Sequence, residues 1–276
     1  MAVIPLRGVP IACVDTGAPP GRPDAPTVVF GHGLLFGGWM FRDQIATLRA
    51  RYRCVTIDWR GQGLTPPTAT GYDMDTLTGD ALALLDHLDA GPVHWVGLSM
   101  GGFVGQRLAA RHGDRLRSLS LLDTSAGPED PAAAAEYARL AWALHRLGHR
   151  FVLPRAVPHL FGPVFLADPA NEAVLAEWRA RLRRCDRAAT RRAVLAVARR
   201  DPVEHELPAV TVPTLVAVGA DDRATPPPRA ADLAARIPGA RLHVVPACGH
   251  TSTLERPTEI TALLRDFLAE ADNLPS

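Results

Sequence analysis

Cysteine is scarce in this chain, four in 276 residues, and no two of them form a Cys-x-x-Cys pair. The sequence gives no sign of a disulfide framework, and Cys13, Cys54, Cys185 and Cys248 read as reduced thiols of a cytoplasmic protein. No uninterrupted apolar run is long enough to span a bilayer. The opening Met1-Ala-Val-Ile-Pro-Leu-Arg7 lacks both a charged n-region and a long apolar segment, so no secretory signal is expected. An excess of either charge is missing too. Thirty Lys+Arg against 29 Asp+Glu leave a net charge of +1, which argues against a nucleic-acid or membrane-surface partner. No His-x-x-x-His and no histidine–carboxylate pair at ligand spacing points to a metal, and no cofactor is expected.

What is present is a large apolar fraction, 47% of 276 residues, enough to bury one α/β core. Heavy Ala, Arg and Pro usage points to a GC-rich bacterial genome. Apolar strand candidates at Val28–Phe30, Cys54–Ile57, Val93–Val96 and Leu116–Leu122 alternate with helical spacing over Met40–Arg51, Asp75–Leu88 and Gly102–His112. Such alternation predicts a mainly parallel sheet covered on both faces. Val3–Leu6 and Ile11–Val14, across Arg7-Gly8-Val9-Pro10, read as an antiparallel hairpin at one edge. From Pro128 to about Pro208 only helical runs occur (Ala132–Leu147, Asn171–Cys185, Ala188–Arg200), and strand–helix alternation resumes at Val210. The expected organisation is a core over 1–127, a helical cap over 128–208 and the rest of the core over 209–276.

The chemistry concentrates at three strand ends. Gly97-Leu98-Ser99-Met100-Gly101 has the G-x-S-x-G form of a strand-to-helix elbow that lifts a serine hydroxyl out of a sheet. A serine needs a base to take its proton and a carboxylate to orient that base. Both occur downstream, again just past strands. Thr214–Val218 runs into Gly219-Ala220-Asp221-Asp222, and Arg241–Val245 runs into Gly249-His250. That edge of an open α/β sheet is where ligands bind. Val28-Val-Phe-Gly31-His32-Gly33-Leu34 ends in a turn able to aim the Leu34 amide at an oxyanion beside the amide of Met100. His32 reads as a brace for that turn, and the histidines without a motif read as surface or packing residues.

Together the His32-Gly33 turn, Asp58-Trp59-Arg60-Gly61-Gln62-Gly63, Gly97-Leu-Ser-Met-Gly-Gly102, Gly219-Ala-Asp-Asp222 and Gly249-His250 resemble the α/β-hydrolase superfamily. The chain is most similar to its small esterases, enol-lactonases and cofactor-free haloperoxidase-like enzymes. The resemblance spans nearly the whole chain and implies an α/β-hydrolase fold with a helical cap. It makes Ser99 the nucleophile, His250 the base and Asp222 the acid, with Asp58–Gly63 as a structural turn. Asp123, at the end of the strand Leu119–Leu122, is the alternative acid, since some relatives place theirs there; as a structural residue it would form a turn with Thr124 and Ser125.

The expected activity is hydrolysis of a small-molecule carboxylic ester or lactone through an acyl-enzyme. The alternatives on the same triad are acyl transfer, perhydrolysis or carbon–carbon bond hydrolysis. A ligand receptor without turnover is the reading from a different class. Trp39, Trp142, Phe161 and Trp178 are the candidates for lining the substrate pocket, with Leu144, Phe151, Leu160 and Phe165 beside them, and Trp59 as a further narrowing residue. Arg179, Arg181, Arg183 and Arg184 read as a solvated helix face. Oligomeric state is not legible.

Overall fold

The computed structural model describes residues Ala2–Leu274; the outermost residues of the expected first and last core segments, Met1 and Pro275–Ser276, lie outside the described residues. Eight strands form one sheet: β1 (Ala2–Leu6), β2 (Val9–Asp15), β3 (Thr27–Gly31), β4 (Arg53–Ile57), β5 (Val93–Leu98), β6 (Leu116–Leu122), β7 (Thr214–Gly219) and β8 (Arg241–Val245). Their spatial order is β1-β2-β4-β3-β5-β6-β7-β8, parallel from β4 onward, with β1 and β2 antiparallel at the edge. The hairpin turn is tighter than the sequence implies. Leu6 pairs with Val9, so only Arg7 and Gly8, both at positive φ, make the turn, and Pro10 lies within the edge pair.

The strands are buried on both faces, and residue parity assigns each side chain to one of two cores. Val29, Trp95, Val216 and Val218 face one core. There they pack with helices α2 (Met74–His87) and α3 (Met100–Arg111), joined by α9 (Pro227–Arg236). Val28, Phe30, Val96, Leu215 and Ala217 face the other. That core is closed by α1 (Arg42–Leu48) and α11 (Pro257–Asp272). Each large aliphatic or aromatic side chain so buried contributes about 1.5–3 kcal/mol relative to exposure.

Between β6 and β7 the chain makes five helices in succession: α4 (Pro131–Leu147), α5 (His149–Leu160), α6 (Pro163–Ala167), α7 (Glu172–Leu182) and α8 (Arg187–Ala198). Helix α5 is absent from the sequence reading because Pro154 and Pro158 lie inside it, each removing an amide donor where a helix would use one. A short α10 (Ser252–Glu255) follows the histidine loop. The result is an α/β-hydrolase fold with a helical cap over the carboxyl ends of the strands. Among the described residues no helix is long and apolar enough to cross a membrane.

Candidate active site

Ser99 sits between β5 and α3 at φ 51°, ψ −109°, a backbone conformation that ordinary residues avoid. The elbow survives because its neighbours have no side chains. A Cβ on Gly97 would run into the Gly101 carbonyl, and one on Gly101 into the Gly31 carbonyl. Here the glycines serve close backbone approach, since neither has a positive φ.

Ser99 Oγ donates to His250 Nε2 at 2.9 Å, and His250 Nδ1 donates to Asp222 Oδ2 at 2.8 Å. All three residues are at least 93% buried, with exposures of 7%, 5% and 3%. Asp222 is held in turn. Its Oδ1 accepts from the amides of Ala224 (2.8 Å) and Thr225 (2.9 Å), and its Oδ2 accepts from the Thr225 hydroxyl (2.9 Å). Burial alone would depress the basicity of His250, but the charge and hydrogen bond of Asp222 outweigh it and raise its pKa to about 9.

Asp123 takes a different place. It lies at the end of β6 at φ 47°, fully buried. Its Oδ1 accepts from the Gly219 amide at 3.0 Å and its Oδ2 from the Ser252 amide at 3.1 Å. Asp123 therefore ties the loop of Asp222 to the loop of His250, and burial with the nearby Asp222 charge pushes its pKa up to about 8. The carboxylate that accepts from the His250 ring is that of Asp222.

The turn after β3, from His32 to Leu35, is braced from several directions. His32 Nδ1 donates to the Gly33 carbonyl (2.7 Å) and its Nε2 accepts from the Trp59 amide (3.1 Å), so the ring is the neutral Nδ1–H tautomer; burial holds its pKa low. Gln62 Oε1 accepts from the Leu35 amide at 2.8 Å, and Asp58 accepts from Gly38 and Leu64. The amides of Leu34 and Met100 have no acceptor among the described residues. Both are donors left unpaired at the strand ends.

A cavity of about 120 Å³ opens on Ser99 and His250. Its walls are nearly all apolar, with Leu34, Leu144, Leu153 and Val194 prominent, and Tyr137, Glu129 and His159 as polar exceptions. The aromatic residues expected to line it lie elsewhere. Trp142 is 56% exposed on the outside of α4, and Phe151 is 50% exposed. Phe161 and Trp178 are buried against each other and Phe36, their ring centroids 5.5 Å apart, with Phe165 stacked on Phe161. Helical spacing marked them as apolar, but the face that packs the cap onto the core claimed them. Trp178 also donates from Nε1 to the Leu35 carbonyl at 3.2 Å, so the cap braces the oxyanion turn. Trp59 is buried beneath that turn and donates to the His32 carbonyl at 2.8 Å. Trp39 lines a neighbouring cavity instead. Of the earlier group, Leu144 and Leu160 do line the catalytic cavity.

Two positions at the site escape sequence reasoning. Glu255 accepts from the Gly249 (2.8 Å), Gly162 (3.0 Å) and Thr251 (3.1 Å) amides and from the Thr251 hydroxyl (2.9 Å), pinning the histidine loop and joining it to the cap. The other is His159, read as a surface or packing residue, which lies in the cavity wall with Nδ1 buried and without a partner among the described residues. Neither has a local signal, because their partners lie on separate segments.

A family model described as the α/β-hydrolase fold matches residues 26–257. The chain is 28% identical to 3-oxoadipate enol-lactonase 2 of Acinetobacter baylyi, an alignment covering 86% of each. In structure it is similar to the enol-lactonase of Burkholderia xenovorans LB400, with 29% identity, a TM-score of 0.88, and 97% and 99% of the two chains covered. It is also similar to a thermophilic esterase of Thermogutta terrifontis, with 28% identity, a TM-score of 0.87, and 98% and 97% covered. On its sheet, its elbow and a likeness that runs nearly end to end, the chain belongs to the α/β-hydrolase fold family.

Proposed function

We propose that the protein is a serine hydrolase that cleaves a carboxylic ester or lactone, with Ser99 as nucleophile, His250 as general base and acid, and Asp222 as the orienting carboxylate. The observation that carries this reading is the unbroken hydrogen-bond chain from Ser99 Oγ through His250 to Asp222, beside two unpaired amides and an apolar cavity. His250 takes the Ser99 proton as Oγ attacks the carbonyl carbon. The tetrahedral oxyanion accepts from the Leu34 and Met100 amides, each worth about 10²–10³ in turnover in such sites. His250 then protonates the departing alcohol oxygen, leaving an acyl group on Ser99. Water, deprotonated by the same imidazole, releases the acid and returns the proton to Oγ. The enol-lactonases and the esterase to which the chain is similar are named for reactions of this class.

We treat residues 128–208 as the cap that closes over the site. An engineered cavity of about 150 Å³ takes a benzene ring, so a cavity of about 120 Å³ suits a short acyl chain or a single ring. A reducing, cytoplasmic setting fits the free thiols of Cys13, Cys54 and Cys248, all buried. The test is hydrolysis of p-nitrophenyl esters from acetate to decanoate by the wild type and Ser99→Ala. Turnover best on short chains and abolished by the substitution supports the reading; equal turnover by both proteins overturns it.

A further inference from the structure

A second cavity, of about 470 Å³, lies on the outer side of the oxyanion turn. Leu35 and Leu182 line both it and the catalytic cavity, so these two side chains form the partition between them. Its lining is charged in a way that the first is not. Arg42 and Arg49 reach it from α1 and the following turn, Arg181 and Arg184 from the end of α7. Trp39 forms an aromatic wall, with the Arg42 guanidinium 5.5 Å and the Arg181 guanidinium 5.0 Å from its ring centroid.

The nearby carboxylates, Glu177, Asp43 and Asp58, are one fewer than these four arginines, and none of them pairs with Arg49 or Arg184. Glu177 pairs with both Arg42 and Arg181, and those two guanidiniums hold its carboxyl below the usual range against the opposing effect of burial. Asp58 also lines the cavity, with its oxygens turned to the Gly38 (2.6 Å) and Leu64 (2.8 Å) amides and no arginine within 4.0 Å among the described residues. Arg49 and Arg184 have no carboxylate within 4.0 Å among the described residues. A guanidinium is a planar fork matched to carboxylate or phosphate, and it remains charged at any working pH. Two such unpaired forks line one concave space, separated from the cavity at Ser99 by Leu35 and Leu182, next to an aromatic face flanked by two arginines.

We propose that this cavity is the anion subsite of the enzyme: the substrate is an ester whose far end carries a carboxylate or a phosphate, held by Arg49 and Arg184. The body of the molecule lies along Trp39, and the reacting carbonyl reaches Ser99 past the Leu35–Leu182 partition. Neither the sequence motifs nor the names of the relatives assign these residues a role, and Arg181 and Arg184 read from sequence as a solvated helix face. The inference rests on the ester-hydrolase reading above.

The test compares kcat/KM of the wild type on monomethyl half-esters of four- to eight-carbon dicarboxylic acids with that on their neutral dimethyl diesters. A second arm compares 2-acetoxyethyl phosphate with ethyl acetate. The expected result is a preference for the anionic partner of about tenfold, carried mainly by KM and shrinking as salt is added. In the Arg49→Ala/Arg184→Ala double variant that ratio falls towards one, while an unchanged melting temperature shows that both exposed positions tolerate the change. The arm with the larger variant-sensitive ratio identifies the anion. Equal rates on charged and neutral esters, or a preference that the double variant keeps, overturn the subsite and leave the ester-hydrolase reading standing. Failure of the wild type on every ester counts against that reading instead. Calorimetry of monomethyl pimelate then decides the subsite: binding lost in the double variant upholds it, and absence of binding overturns it.

Discussion

The sheet edge and the cap meet at Ser99, but they are held together by different forces. On the sheet side, backbone amides do the holding. Asp222, Asp123 and Glu255 together engage Ala224, Thr225, Gly219, Ser252, Gly249, Thr251 and Gly162, so the loops that carry Asp222 and His250 are tied to each other. On the cap side, the cavity wall is mostly apolar packing, and what crosses to the core is side-chain bonding: Trp178 Nε1 to the Leu35 carbonyl, Glu255 to the Gly162 amide, the Thr251 hydroxyl to the Leu160 carbonyl, and the ion pairs Arg42–Glu177, Arg111–Glu206 and Arg229–Glu129. Directional bonds fix where protons and charge go. Packing fixes which shapes enter, and it can be resized without disturbing the chemistry.

That contrast can be broken from either side. The largest effect is expected on the sheet edge. Asp222→Asn leaves the packing intact but presents an amide to His250 Nδ1, favouring the wrong tautomer, and kcat should fall by about 10⁴ in steady-state ester hydrolysis. Removing the Asp222 charge also removes what raises the His250 pKa, so the residual activity should reach its plateau at lower pH than the wild type. On the cap side, Trp178→Ala should cost about 3–5 kcal/mol in denaturant unfolding, because it empties a fully buried site and frees the Leu35 carbonyl. Ala141→Phe, filling the cavity from α4, should leave acetate esters within a few-fold of wild type. It should depress longer or ring-bearing esters by about tenfold, as one or two methylene-sized groups lose their place. Trp142→Ala is the smallest: an exposed side chain outside the cavity, expected to change stability by less than about 0.5 kcal/mol and kcat/KM not measurably.

The same division explains what could be read in advance. The sheet, its edge hairpin and the positions of Ser99, Asp222 and His250 rest on local rules: strand runs, glycines where backbones touch, and polar residues just past strand ends. The choice between Asp222 and Asp123 needed geometry, since both stand at strand ends and differ only in what they face. Less was legible in the cap. Pro154 and Pro158 concealed a helix, and apolar spacing could not say whether Phe161 and Trp178 faced the cavity or the core. Glu255 and Arg184 act through partners or spaces built from distant segments, for which a single chain of letters carries no signal.

The most direct test of the central claim is covalent trapping. The protein is incubated with an uncharged p-nitrophenyl phosphonate across a pH series, the modified peptide is located by mass spectrometry, and the rate of modification is followed. The expected result is one phosphonyl group per chain, on Ser99. Only neutral imidazole can take the serine proton, so the rate should climb with pH well beyond 6.5, the ordinary histidine value, toward a midpoint of about 9. Modification of another residue, or a Ser99 rate that does not change with pH, would contradict it.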